Sequence, residues 1–342
     1  MEKIKLIVPS TVYHCSQIIT GFLILKNQGW DVEMEDKSKE ALNPFFDLPV
    51  VLAQYRGKTL VYDLWDGYQN PDGMKTALKA ADIYFKRSFS ATKNKELFPE
   101  YAGKMYPLGF NYHVTCKENP INEPLWKALI KPLTGRTPER FFVPETFEAE
   151  PEMPMGEPKV LFLAQLWEED EPGLPLEIVA ERQYINKMRL EILYGLRREF
   201  GKNFIGGLVS SDLSLQRAKD LVLPREKTER RAYLGLVHSA DICIGTMGLY
   251  ESIGWKTAEY IAASKAIVNE RFRYQVTGDF SEGKNYLPFT DAQGCIQAVK
   301  ALAADADAIY AMKCANHDYY LNYLKPEVLV ENSLKQADKI IG

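Results

Sequence analysis

Short apolar runs alternate along this chain with longer stretches whose apolar residues recur every three or four positions, the period of a helix lying against a core. "KIKLIVPS" (3–10) reads as a first strand, and "HCSQIITGFLILKNQG" (14–29) as a helix stopped by its last glycine. "KTLVYDLWDG" (58–67) reads as a strand running into a turn. "GMKTALKAADIYFKRSFS" (73–90) gives a helix and then the strand "ADIYFKRS", and "KMYPLGFNY" (104–112) a strand and turn. The pattern resumes with the strand "KVLFLAQLW" (159–167), the long helix "YINKMRLEILYGLRREFG" (184–201) and the strand "NFIGGLVSS" (203–211). "REKTERRAYLGLVHSA" (225–240) then leads to "DICIGTMG" (241–248), and a further helix leads to "AIVNE" (266–270). Such alternation predicts an α/β protein with mostly parallel sheets.

Between the two series lies "PETFEAEPEMPMGEP" (144–158), rich in proline and glutamate and poor in apolar residues, as an interdomain linker would be. The expected division is a first α/β domain over 1–148, a second over 149–325 and a terminal helix over 326–342, placed to pack back on the first domain. The 342 residues suffice for two cores. Because ligands of open α/β sheets bind beyond the carboxyl ends of the strands, two such domains facing each other would share one cleft.

Composition narrows the partners. A net charge of −4 argues against nucleic acid, which needs a basic surface, but not against a small anion held by local cations. No run approaches the ~20 apolar residues of a membrane span, and the N-terminal run is too short for a signal peptide. The five cysteines (15, 116, 243, 295 and 314) show no metal-binding or CxxC spacing, which fits reduced thiols and a cytoplasmic location.

Candidate chemistry concentrates in "YESIGWKTAEYIAASKAIVNE" (250–270). On one continuous helix Glu251 and Glu259 would stand roughly 80° apart. A helix beginning near Gly254 instead leaves Glu251 in the preceding loop and Glu259 in the second turn. The amides of Ile253, Gly254, Trp255 and Lys256 then point outward, a setting that favours phosphate, with Lys256 adding a charge. Carboxylates on either side of a phosphate site would bind hydroxyls, so the set describes a nucleotide sugar. The same spacing also fits an acid on the helix dipole followed by a surface acid.

This stretch resembles the E-x7-E segment of GT-B glycosyltransferases, particularly family 4, including both glutamates, Gly254 and the apolar strand that follows. Flanking stretches continue the likeness: "YLGLVHSADICIGT" before it, "GDFSEGKNYLPFTDAQGCIQAVKALAADADA" after it, and "ADIYFKRS" and "MYPLGFNYHV" in the first half. The resemblance implies a GT-B fold, two Rossmann-like α/β domains facing each other across a cleft. It implies transfer from a nucleotide-sugar donor to a saccharide, surface-polysaccharide or lipid-linked acceptor, with peripheral membrane contact as a further expectation. Retention is implied over inversion, without a resident metal or cofactor. Glu251 would meet donor-sugar hydroxyls, Glu259 the ribose, and the amides around Gly254 the diphosphate.

The chain departs from the family in three places. Gln165 and a run of acids stand where the family has Gly-Arg and a lysine, so Arg182, Arg189 and Lys256 become candidates for neutralising the leaving diphosphate. The first strand–helix turn, "PSTVYHCSQ", lacks a glycine-rich loop. After "KTLVY", where the family often has a histidine, the chain offers Asp63 and Asp66; these and His14 are candidate bases. Arg87, Ser88 and Asn111 are candidate acceptor-side residues. No G-x-G-x-x-G or Walker A sequence occurs, and the Asp305–Asp307 pair in "KALAADADAIYAMK" reads as helix surface. Two rival readings stay open: a sugar-nucleotide epimerase on the same architecture, and a non-catalytic GT-B-like protein whose altered cations mark a decayed donor site.

Overall fold

A computed structural model describes residues 2–40, 43–45 and 48–342. The first sheet holds β1 (Ile4–Val8), β2 (Val32–Asp36), β3 (Val50–Tyr55), β4 (Lys58–Asp63), β5 (Ile83–Lys86) and β6 (Met105–Pro107), in the order β2-β1-β3-β4-β5-β6. The second holds β7 (Val160–Ala164), β8 (Phe204–Leu208), β9 (Ile242–Gly245), β10 (Ala266–Glu270) and β11 (Leu287–Phe289), ordered β11-β10-β9-β7-β8 with every pairing parallel.

The first sheet is less uniform than the alternation predicts. β3 runs antiparallel to both β1 and β4. It is joined to β4 by the two-residue turn Arg56–Gly57, where φ is 49° and 72°. Positive φ at both positions gives the turn twist that suits a tight hairpin. β3 and β4 are buried nearly throughout, as central strands covered on both faces should be.

Two features couple the parts of the chain. The terminal helix Pro326–Ile341 lies against the first helix, Ser16–Asn27, and buries Leu329, Val330, Leu334 and Ala337 in the first domain's core. Gly21 permits that approach, since a Cβ there would stand 2.2 Å from Pro326 O. Phe110, Tyr112, Phe142 and Phe147 leave the first sheet and join a core with Tyr233, Tyr260 and Ile261 of the second domain. The proline-rich connector is anchored on that domain as well. Ala149 N–H donates to Ala262 O, Ser264 Oγ to Ala149 O, and Lys313 Nζ to Glu152 O.

Asp305 caps the helix Ala306–Tyr319 by accepting from Ala308 N–H at 2.9 Å, and Asp307 is exposed in its first turn. Among the described residues no helix is long and apolar enough to cross a membrane, and no cluster of three His, Cys, Asp or Glu side chains has metal-binding geometry.

Candidate functional site

The ends of β7 and β9, the stretch after β8 and the start of the helix Trp255–Ala262 open into a cavity of about 650 Å³. His14, Asp66 and Arg87 of the first domain form its opposite wall. Parallel strands aim their carboxyl ends, and the helix its free amides, into the same space.

The helix begins at Trp255, with Gly254 as its cap, so Glu259 sits in the second turn. Glu259 is buried on the cavity wall, and its Oε1 accepts from Arg230 Nη2 at 3.0 Å. Arg230 also donates to His113 O and lies over the ring of Phe142. Sequence reasoning missed Arg230, although a signal existed. A cation in the first turn of a helix opposes the helix dipole and calls for a partner elsewhere.

Two cations meet where the diphosphate site was expected. Arg189, on the helix Leu176–Phe200, is buried and donates to Gln165 O (2.7 Å), Thr246 Oγ1 (3.1 Å) and Met247 O (3.2 Å). These contacts hold three of the five N–H donors of a guanidinium. It therefore stands beside Gln165, at the carboxyl end of β7. Lys256 Nζ donates to Leu163 O. Burial, reinforced by Arg189, lowers the Lys256 ammonium from 10.5 to about 8, while Glu259 opposes the shift. Burial likewise lowers Arg189 to about 10, against the pull of Glu270. Both are cations at pH 7. Arg182 stands apart from the cavity lining, donating to Glu168 O and pairing with Glu171 at 2.9 Å.

The candidate bases separate. Asp63 is fully buried away from the cavity, bonded to Lys86 Nζ at 2.8 Å, Tyr84 Oη at 2.7 Å and Trp65 N–H at 2.8 Å. Its expected place facing the cleft is corrected: it is a structural acid neutralised by a buried lysine. Asp66, three residues on, lines the cavity and pairs with Arg87. His14 Nε2 stands 3.9 Å from Asp66 Oδ2, and the His14 ring meets the edge of Trp255 at 4.9 Å. Burial and then Arg87 lower His14 below its ordinary 6.5, with Asp66 opposing.

The acceptor-side candidates are mostly scaffolding. Ser88 Oγ donates to Asp66 O, and Asn111 Nδ2 holds His14 O at 2.9 Å. Arg87 spans the domains, since its Nη2 donates to Ile253 O at 2.6 Å while Nη1 holds Asp66.

Glu251 occupies a neighbouring pocket of about 220 Å³ with Glu181, Glu270 and Arg273. Gly248 belongs to both linings. The two glutamates thus face different chambers joined at one loop. That loop is held in an uncommon conformation, with φ of 61° at Tyr250 and 57° at Glu251. Tyr274 Oη donates to Tyr250 O, and Glu251 N–H to Glu181 Oε1. The Glu251 carboxylate pairs with Lys93 of the first domain at 3.1 Å and lies 3.8 Å from Arg273. Around the larger chamber, His14 Nδ1, Trp167 Nε1, Arg230 Nε and Tyr233 Oη are buried without a hydrogen-bond partner among the described residues. Buried polar atoms are seldom left so, and four around one cavity suit a polar ligand.

No protein-family model matches the chain, and no curated protein matches it. Among solved structures it is similar to Anabaena HepE in complex with UDP and glucose, with 10% identity, 98% of this chain and 100% of that chain covered, and a TM-score of 0.48. A glycosyltransferase from Rickettsia africae is similar at 12% identity, with 99% of each chain covered and a TM-score of 0.42. The third is accessory secretory protein 1, 2 and 3 of Streptococcus pneumoniae, at 11% identity and a TM-score of 0.46. It matches over 82% of this chain and 48% of that one, so the chain spans about half of that length. The fold itself, read from its two α/β sheets and the cavity between them, is GT-B: two Rossmann-like domains facing each other across a cleft.

Proposed function

We propose that the cleft binds a nucleotide-activated sugar and transfers the sugar to an acceptor hydroxyl. The observation that carries this reading is the convergence of Arg189, Lys256 and the start of the Trp255–Ala262 helix on one buried cavity. Two cations and outward amides in a water-poor space suit a diphosphate, whose charge grows as it leaves. In this reading Glu259 takes the ribose hydroxyls, and the sugar extends past Gly248 toward Glu251.

The bond from the anomeric carbon to the diphosphate breaks, and the nucleotide leaves with the electron pair. The acceptor oxygen bonds to the same carbon. In a retaining course, which the E-x7-E resemblance favours, the acceptor proton passes to the departing phosphate oxygen. In an inverting course His14 takes it, with the Asp66 carboxylate 3.9 Å from its Nε2. The acceptor is a saccharide or a lipid-linked saccharide, entering from the His14 side.

Calorimetric titration of UDP, GDP, CMP and dTDP tests the donor site. We expect one nucleotide to bind selectively, and Glu259→Ala to weaken it by at least ~10-fold, about 1.4 kcal/mol. Absence of binding by all four would remove the donor site. Product analysis with and without acceptor then separates transfer from epimerisation.

A further inference from the structure

The chain carries an apolar ridge that no part of the described structure covers. Leu125, Trp126, Leu129, Ile130 and Leu133 are exposed at 66%, 60%, 78%, 49% and 84%, within nine consecutive residues. The helix Leu125–Ile130 buries none of its residues. A six-residue helix gains its stability from packing one face, and this one packs none against the protein. With 100° per residue over the helix and 120° through the 3-10 turn Lys131–Thr134, the five side chains fall within an arc of about 140°, while Lys127 and Lys131 fall about 60° to 120° beyond it.

We propose that residues 124–138 form a docking element for an anionic lipid surface. Charge separates this occupant from a protein partner. Between Pro124 and Pro138 the sequence has Lys127, Lys131 and Arg136 and no acid, in a chain whose net charge is −4. Lys131 is held between Glu123 and Glu139, whose carboxylates are largely covered. Lys127 and Arg136 make no ion pair among the described residues, and Lys127 Nζ rides over the Trp126 ring at 5.3 Å. An apolar stripe carrying tryptophan and flanked by cations seats at the headgroup boundary, with its lysine stems reaching to phosphate. A second copy of the chain would bring the same positive ridge against itself.

The element is tied to the cleft. Thr137 N–H donates to Glu229 Oε1 at 2.9 Å; Glu229 caps the helix whose first residue, Arg230, holds Glu259. In the transferase reading, a membrane held by this element would bring a lipid-linked acceptor to the protein that carries the donor cavity. Only that last consequence rests on the transferase reading; docking itself does not.

Co-sedimentation of the full chain tests it, with phosphatidylcholine vesicles with and without roughly one-third phosphatidylglycerol. The wild type should sediment with the anionic vesicles and stay in solution with the neutral ones. Leu129→Glu/Leu133→Glu should lower the partition coefficient by at least ~10-fold, and Lys127→Glu/Arg136→Glu should abolish the preference for anionic lipid. Nucleotide binding and circular dichroism, measured on the same samples, should not change, which separates lost docking from misfolding and from failure of the donor reading. Three results would overturn the proposal: no vesicle binding by the wild type, equal binding by the Leu129→Glu/Leu133→Glu variant, or a concentration-dependent dimer that this variant abolishes.

Discussion

Lys256 bears opposed demands. Its depression from 10.5 to about 8 corresponds to ~3 kcal/mol against the charged form inside the fold. Below pH 8 the folded chain carries that cost. Between pH 8 and 10.5 the unfolded chain still binds the proton that the folded one has released, so this residue's contribution to stability improves as pH rises. Lys256→Met should therefore stabilise the protein at pH 7 by ~1–2 kcal/mol, after loss of the bond to Leu163 O, with the gain fading toward pH 10. Nucleotide affinity should fall ~10- to 100-fold in the same variant. Denaturant melts across pH with parallel titrations check both; a variant that is destabilised and binds normally would make Lys256 a structural residue. Its candidacy was legible in the sequence, next to Gly254. The fates of Asp63 and Asp66 were not, because Lys86, which neutralises Asp63, is 23 positions away and enters only when β5 pairs with β4.

Local signals were strong among the elements, and the start of the Trp255–Ala262 helix shows why. Glycine followed by a helical apolar period marks a helix entry without reference to the rest of the chain. Gly254 has φ −64° and ψ 147°, open to any residue, and a Cβ there would meet nothing nearer than Thr246 O at 3.7 Å. The protein's own packing does not require glycine at this position. A side chain would instead intrude on whatever the first-turn amides hold. Gly254→Val should leave the melting transition within about 0.5 kcal/mol of wild type and cost ~100-fold in nucleotide affinity by calorimetry. Undiminished affinity would move the diphosphate away from this helix. The reversal of β3 was harder to read, since period-two alternation is blind to strand direction and Arg-Gly is a weak turn signature.

Beside the apolar core that they share, the domains of the whole molecule meet through several directional contacts. Arg87 joins Asp66 to Ile253 O, Lys93 joins Glu251, and Gln275 N–H donates to Phe89 O at 2.9 Å. Arg87 lines the larger chamber and Glu251 the smaller one, so in the transferase reading donor binding and closure would share these two residues. Arg87→Ala strands the Asp66 carboxylate and frees a buried carbonyl, which should cost ~2 kcal/mol in thermal stability. It should also widen the spread of domain orientations seen by small-angle scattering and return toward wild type on nucleotide addition. A scattering profile identical to wild type would show that the shared apolar core of Phe110, Tyr112 and Phe147, rather than Arg87, sets the domain orientation.

The sequence by itself determined the α/β alternation, the helix entry at Gly254 and the position of Glu259 one turn inside it. These depend on residues within a turn or a strand of each other, and backbone geometry translates that spacing directly into structure. Tertiary structure decided which cation stands beside Gln165, which aspartate faces the cavity, that Arg230 holds Glu259, and that Glu251 lies in a second chamber. It also decided that "LWKALI" stays uncovered, although its apolar content resembles that of buried helices. Each of these turns on partners tens to more than a hundred positions apart, and on whether burial leaves a charge paired, solvated or alone. Spacing along the chain carries no record of that.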